Sequence, residues 1–109
     1  MRAVLCTAFE GIKGLTVGET AEPSPKPDEV LIDVYAASVS YMDYLMISGG
    51  YQMRPPLPYV PGTDAAGIVA AIGGEVDRFR PGDRVACEGW YGGYAENDCE
   101  SRPNQPPTG

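Results

Sequence analysis

The 109-residue chain contains no histidine, and that absence removes more chemistry than any other feature of its composition. Without imidazole there is no Ser-His-Asp or Cys-His nucleophile pair, no imidazole base and no histidine metal ligand. Cysteine is scarce as well. Cys6, Cys87 and Cys99 are odd in number and show no C-x-x-C spacing. That argues against a disulfide framework or a zinc knuckle, and a reducing cytoplasm is the simplest home. Positive charge is short: 8 Lys and Arg stand against 15 Asp and Glu, and the net charge of -7 speaks against nucleic acid and anionic membranes as partners. No apolar run approaches the ~20 residues of a membrane helix. The first residues carry no small-residue cleavage site, so a secretory leader is not expected. There is no G-x-G-x-x-G and no Walker A sequence, hence no recognisable phosphate-binding loop.

What is present fits one domain with many turns. Hydrophobic residues make up 43% of the chain, and Gly 14 with Pro 11 punctuate it at short intervals. The first nine residues and Leu15-Thr16-Val17 read as strands. Three prolines between Glu22 and Asp28 remove three ladder donors and leave a surface loop. Residues 29–37 alternate, with Val30, Ile32, Val34 and Ala36 on one face and Leu31, Asp33 and Tyr35 on the other, as in a half-buried strand. Ser40-Tyr41-Met42-Asp43 has the spacing of a capping box opening a short helix that Gly49-Gly50 stops. The proline-rich stretch from Arg54 to Gly62 is extended, residues 65–72 form a buried strand, and Pro81-Gly82 suits a type II turn feeding a strand over 83–88. Gly92-Gly93-Tyr94-Ala95-Glu96 begins another strand. Residues 97–109 lose periodicity and read as a disordered tail. Six or seven short strands with one small helix predict a mainly β domain, a barrel or a sandwich.

Four ordered blocks then carry a resemblance. They are Pro27-Asp28-Glu29-Val30-Leu31-Ile32; Ala36-Ala37-Ser38-Val39-Ser40-Tyr41-Met42-Asp43; Pro58-Tyr59-Val60-Pro61-Gly62-Thr63-Asp64-Ala65-Ala66-Gly67; and Phe79-Arg80-Pro81-Gly82-Asp83-Arg84-Val85. Together they resemble the medium-chain dehydrogenases/reductases, and among these the zinc-independent NADPH:quinone oxidoreductases. The resemblance implies a GroES-like, partly open β-barrel over residues 1–96, with the family's cofactor-binding Rossmann domain absent from this chain. It also implies NADPH as cofactor, a small-molecule electron acceptor as partner, and room for a homodimer in full-length members.

The same resemblance addresses metal. Zinc-dependent relatives place a Cys followed by a His where this chain has Ser40 and Tyr41, and Gly-His-Glu where it has Gly62-Thr63-Asp64. Catalytic zinc wants thiolate, imidazole and carboxylate around an open position. Hydroxyls are poor replacements, so no metal is expected. By resemblance, Ser40, Asp43 and Tyr51 are the candidate catalytic residues, and Ser40 and Thr63 the candidate cofactor contacts. Each also has an ordinary reading. Ser40 and Asp43 cap their helix, Tyr51 is a plain surface tyrosine, and Thr63 bonds its local turn. Cys87 reads as a buried small hydrophobe.

The expectation is the catalytic-domain portion of a zinc-independent enzyme moving hydride from NADPH to a quinone or another electron-poor carbonyl or enone. Two alternatives stand beside it: a standalone, non-catalytic GroES-like interaction module, and a truncated inactive product.

Overall fold

The computed structural model describes residues 1–100 apart from Met53 and Trp90. Arg2–Cys6 (β1) and Leu15–Glu19 (β2) form an antiparallel pair, joined through a single 3-10 turn at Gly11–Gly14. Val30–Ala37 (β3), Asp64–Ile72 (β4), Arg84–Glu88 (β5) and Asn97–Glu100 (β6) make a four-stranded antiparallel sheet in the order β5-β4-β3-β6. The only α-helix among the described residues is Tyr41–Ile47 (α1). The sheets do not close on each other, so the fold is a GroES-like, partly open barrel made mainly of strands, as expected.

Alternation builds the main core. Val30 and Ile32 of β3, Ala65 and Val69 of β4, and Val85 and Cys87 of β5 are buried together with Phe79. Ile32 lies opposite Val69 and Ala65 opposite Cys87, so one sheet face carries the apolar set. Two expectations fail within β3. Leu31, assigned to the outer face, is buried, while Ala36, assigned to the inner face, is exposed. The register between β3 and β4 shifts between Leu31 and Ile32 and again between Val34 and Ala36. The first shift skips Ala70 of β4 and leaves the facing of β3 unchanged, so Leu31 is buried because both faces of β3 are covered at that end. The second skips Tyr35 of β3, an extra residue before Ala36 that strict alternation cannot reveal.

The turn at Pro81-Gly82 forms as expected. Gly82 has φ +97°, and the Asp83 N–H donates to the Arg80 carbonyl at 3.1 Å. The tail assignment needs correction, because Asn97–Glu100 is strand rather than disordered chain. It pairs with β3 from Val30 to Asp33, Asp98 is buried, and the Asn97 side-chain amide donates to Asp33 Oδ1 at 2.6 Å. Four residues with no aliphatic side chain give little strand signal by themselves; the exposed edge of β3 supplies the partner that orders them. Residues 101–109 of that expected tail lie outside the described residues.

A deletion tests this pairing. A disordered tail could be removed for less than about 0.5 kcal/mol, as at a neutral surface site. With β6 present, truncation after Glu96 strips a ladder whose bonds contribute about 1 kcal/mol each. A thermal melt should therefore show the midpoint fall by more than ~4 °C, the shift that about 1 kcal/mol produces in a domain of this size.

Candidate active site

The site is organised by the start of α1. Ser40 has extended backbone (φ -122°, ψ 166°), and the capping box closes in both directions. The Asp43 N–H donates to Ser40 Oγ at 3.4 Å, and the Ser40 N–H donates to Asp43 Oδ2 at 3.0 Å. At the other end, the Gly49 N–H bonds the Met46 carbonyl and the Gly50 N–H the Leu45 carbonyl, which ends the helix where Gly49-Gly50 predicts. Met46 and Ile47 turn into a second apolar cluster with Cys6 and Tyr59.

Asp43 does more than cap. It is 3% exposed, and its carboxylate collects donors from three places in the chain. Oδ2 accepts from the Ser40 N–H, from the Ser40 hydroxyl at 3.1 Å and from the Tyr94 hydroxyl at 2.8 Å. Oδ1 accepts from the Thr63 N–H at 2.9 Å. Burial by itself raises a carboxyl, but here the donated bonds from Ser40, Tyr94 and Thr63 outweigh it and hold Asp43 below its ordinary value. Asp43 is therefore a buried carboxylate anion at neutral pH, suited to holding neighbouring groups in place and unsuited to delivering a proton. The Tyr94 phenol moves the other way. Burial, its bond to Asp43 and the charge on Asp43 all push it well above the usual tyrosine range.

Three of the four candidates thus come together. Ser40, Asp43 and Thr63 form one hydrogen-bonded group, with Asp43 and Thr63 20 residues apart in sequence. Tyr51 is half-buried against the cluster of Cys6, Met46, Ile47 and Tyr59. Cys87 is buried as expected, its thiol donating to the Ala65 carbonyl at 3.4 Å. The residue that sequence reasoning missed is Tyr94. Its available signal was the preceding Gly92-Gly93, which lets the backbone approach another segment closely. The Gly93 N–H bonds the Gly62 carbonyl at 3.0 Å and the Tyr94 N–H bonds the Pro61 carbonyl at 2.9 Å.

An apolar cavity of about 510 Å³ adjoins the group, lined among others by Val4, Leu15, Val39, Ile47, Tyr44 and Tyr94. A larger groove of about 820 Å³ runs along Pro56, Pro58, Tyr59 and Tyr91 and is lined by none of the four candidates. Among the described residues no group of three or more His, Cys, Asp and Glu side chains is placed to hold a metal ion. Among those residues, too, no helix is long and apolar enough to cross a membrane.

Comparison with known proteins agrees with this architecture. The sequence matches the alcohol dehydrogenase GroES-like domain family over residues 26–108. It is 41% identical over 98 residues to the quinone oxidoreductase of Mus musculus, covering 88% of this chain and 30% of that protein. The human synaptic vesicle membrane protein VAT-1 homolog-like protein superposes with a TM-score of 0.94 at 33% identity, covering 98% of this chain and 35% of that one. The Escherichia coli quinone oxidoreductase, solved in complex with NADPH, superposes with a TM-score of 0.83 at 29% identity, covering 91% and 30%. The chain therefore spans roughly a third of the length of the relatives it matches. Fold, ordered motifs and sequence identity converge: this chain is a GroES-like domain of the medium-chain dehydrogenase/reductase family, of the quinone oxidoreductase-like kind.

Proposed function

We propose that this domain forms the acceptor side of a zinc-independent oxidoreductase that passes hydride from NADPH to a quinone or a similarly electron-poor carbonyl or enone. The observation that carries the reading is the make-up of the Ser40–Asp43–Thr63–Tyr94 group. Zinc fits it badly. Both Asp43 oxygens already accept protein donors, and the hydroxyls of Ser40 and Thr63 are weak ligands beside thiolate and imidazole. A nicotinamide cofactor suits the group better, because NADPH supplies the reducing power itself and asks the protein for placement and electrostatics. Ser40 and Thr63 are the residues assigned to touch it. The Thr63 hydroxyl makes no hydrogen bond of its own among the described residues and is half-buried next to the helix start, so it is available for a polar contact. Asp43 holds both residues and takes no proton-transfer role. Tyr51 is assigned to the acceptor side.

The test is a chimera in which this chain replaces the matching segment of the murine quinone oxidoreductase. NADPH oxidation by a simple quinone should exceed the uncatalysed rate, persist in chelator, and come from protein holding no stoichiometric zinc by elemental analysis. A folded chimera that binds NADPH yet reduces neither quinones nor enones would overturn the proposal, as would one tightly held zinc per chain.

A further inference from the structure

We infer that Tyr94 is the positioning residue of this site: its hydroxyl orients the Asp43 carboxylate and, through it, the Ser40 hydroxyl and the Thr63 backbone. The phenol is a donor on a fixed mount. The Tyr94 N–H is bonded to Pro61, its carbonyl accepts from the Val4 N–H at 2.9 Å, and the adjoining Gly93 N–H is bonded to Gly62. β1 and the chain just before Thr63 thus hold the Tyr94 backbone. From there the side chain spans 51 residues of sequence to reach Asp43 Oδ2 at 2.8 Å, with the Ser38 carbonyl 3.1 Å away as a second acceptor. Of the two acceptors, the charged one makes the stronger bond.

The geometry around Asp43 shows what depends on that bond. The other two donors on Oδ2 both belong to Ser40, three residues away in the same capping box. They tie the carboxylate to its own helix but do not fix the rotation of its plane, since the terminal torsion of an aspartate is broad. Orientation toward the Thr63 N–H requires a fixed point outside the helix start, and Tyr94 provides it. Without the phenol, the carboxylate can turn toward Ser40, loosen from Thr63 and let the Ser40 hydroxyl re-aim. That this would matter for turnover rests on the oxidoreductase reading above; the positioning itself does not.

The experiment is amide hydrogen exchange by NMR on the 109-residue chain and its Tyr94→Phe variant, which keeps the ring and every backbone bond. Exchange at Thr63 and Ser40 should accelerate by ~10-fold or more, the factor that corresponds to about 1.4 kcal/mol. The amides of Ile32 and Val69 in the sheet should keep their rates, and Tyr44→Phe, on the same cavity wall, should leave all of them unchanged. Unaltered exchange at Thr63 and Ser40 overturns the inference, and so does uniform acceleration across the sheet, which would make Tyr94 merely structural. Should Tyr94→Phe fail to fold, the wild-type chain still decides. The ring carbon bearing the Tyr94 hydroxyl should titrate well above the ordinary tyrosine value of 10, and titration at that ordinary value would show that the hydroxyl is not committed to Asp43. Exchange rates do not depend on turnover, so an inactive chimera and an unmoved Thr63 amide are separate failures.

Discussion

Replacing Asp43 by alanine is expected to lower the stability of this domain by about 3–5 kcal/mol in a denaturant titration. Each hydrogen bond to a charged group contributes roughly 1.5–3 kcal/mol, and a donor left buried without a partner costs a further ~1–3 kcal/mol. The carboxylate accepts from the Ser40 N–H, the Ser40 hydroxyl, the Thr63 N–H and the Tyr94 hydroxyl. Alanine removes the acceptor from all four donors, and of these the Tyr94 hydroxyl keeps a second acceptor in the Ser38 carbonyl at 3.1 Å. The sum is reduced because burying the carboxylate was itself costly, which leaves the net figure near the upper end of single-site effects. Against a total of ~5–15 kcal/mol for an ordinary domain, the loss is about a fifth or more of what holds the fold together. Asparagine should recover little of it. Its carbonyl can serve Thr63, but its amide would then confront the Ser40 and Tyr94 donors with a donor of its own.

The same bonds give stability a pH dependence whose sign is determined. Asp43 ionises below its ordinary value of 3.8 in the folded state, so the unfolded chain takes up its proton first as pH falls. The contribution is fully present above about pH 4 and is lost as pH drops through the folded value. Thermal midpoints measured from pH 5 downwards should fall more steeply for the wild-type chain than for Asp43→Asn. Parallel slopes would show that Asp43 is not the buried anion described here.

Gly62→Ala is the second large effect, at about 3 kcal/mol or more. Gly62 has φ +108°, where a side chain is strained by itself at ~1–3 kcal/mol. A Cβ there would also lie 2.7 Å from Tyr94 Cδ1, 2.9 Å from the Tyr94 nitrogen and 3.0 Å from Gly93 Cα. Two of those atoms are backbone, which the paired segments on either side prevent from yielding. Gly82→Ala makes the control. Its φ is +97°, yet a Cβ there would meet nothing within 4 Å. Denaturation of both variants separates conformational strain from crowding, with Gly82→Ala expected to show the strain alone. Equal losses at the two positions would mean that the close approach of Tyr94 to Gly62 carries no weight.

Much of this protein is determined by local sequence. The capping box at Ser40 and Asp43, the helix stop at Gly49-Gly50 and the turn at Pro81-Gly82 form where short-range chemistry puts them, because each needs only residues within one turn of chain. The absence of histidine likewise leaves these 109 residues with no imidazole of their own, whatever the fold. The tertiary structure alone decided the rest. Both faces of β3 are covered at Leu31, a bulge at Tyr35 disturbed the alternation before Ala36, an open strand edge recruited Asn97–Glu100, and Asp43 changed from a helix cap into a four-donor anion. That last change depends on Thr63 and Tyr94, 20 and 51 residues further along. Partners at such separations leave no periodicity in a single sequence, and only the packing of β1 and the Pro61–Gly62 backbone against Gly93-Tyr94 brings a phenol within 2.8 Å of the carboxylate.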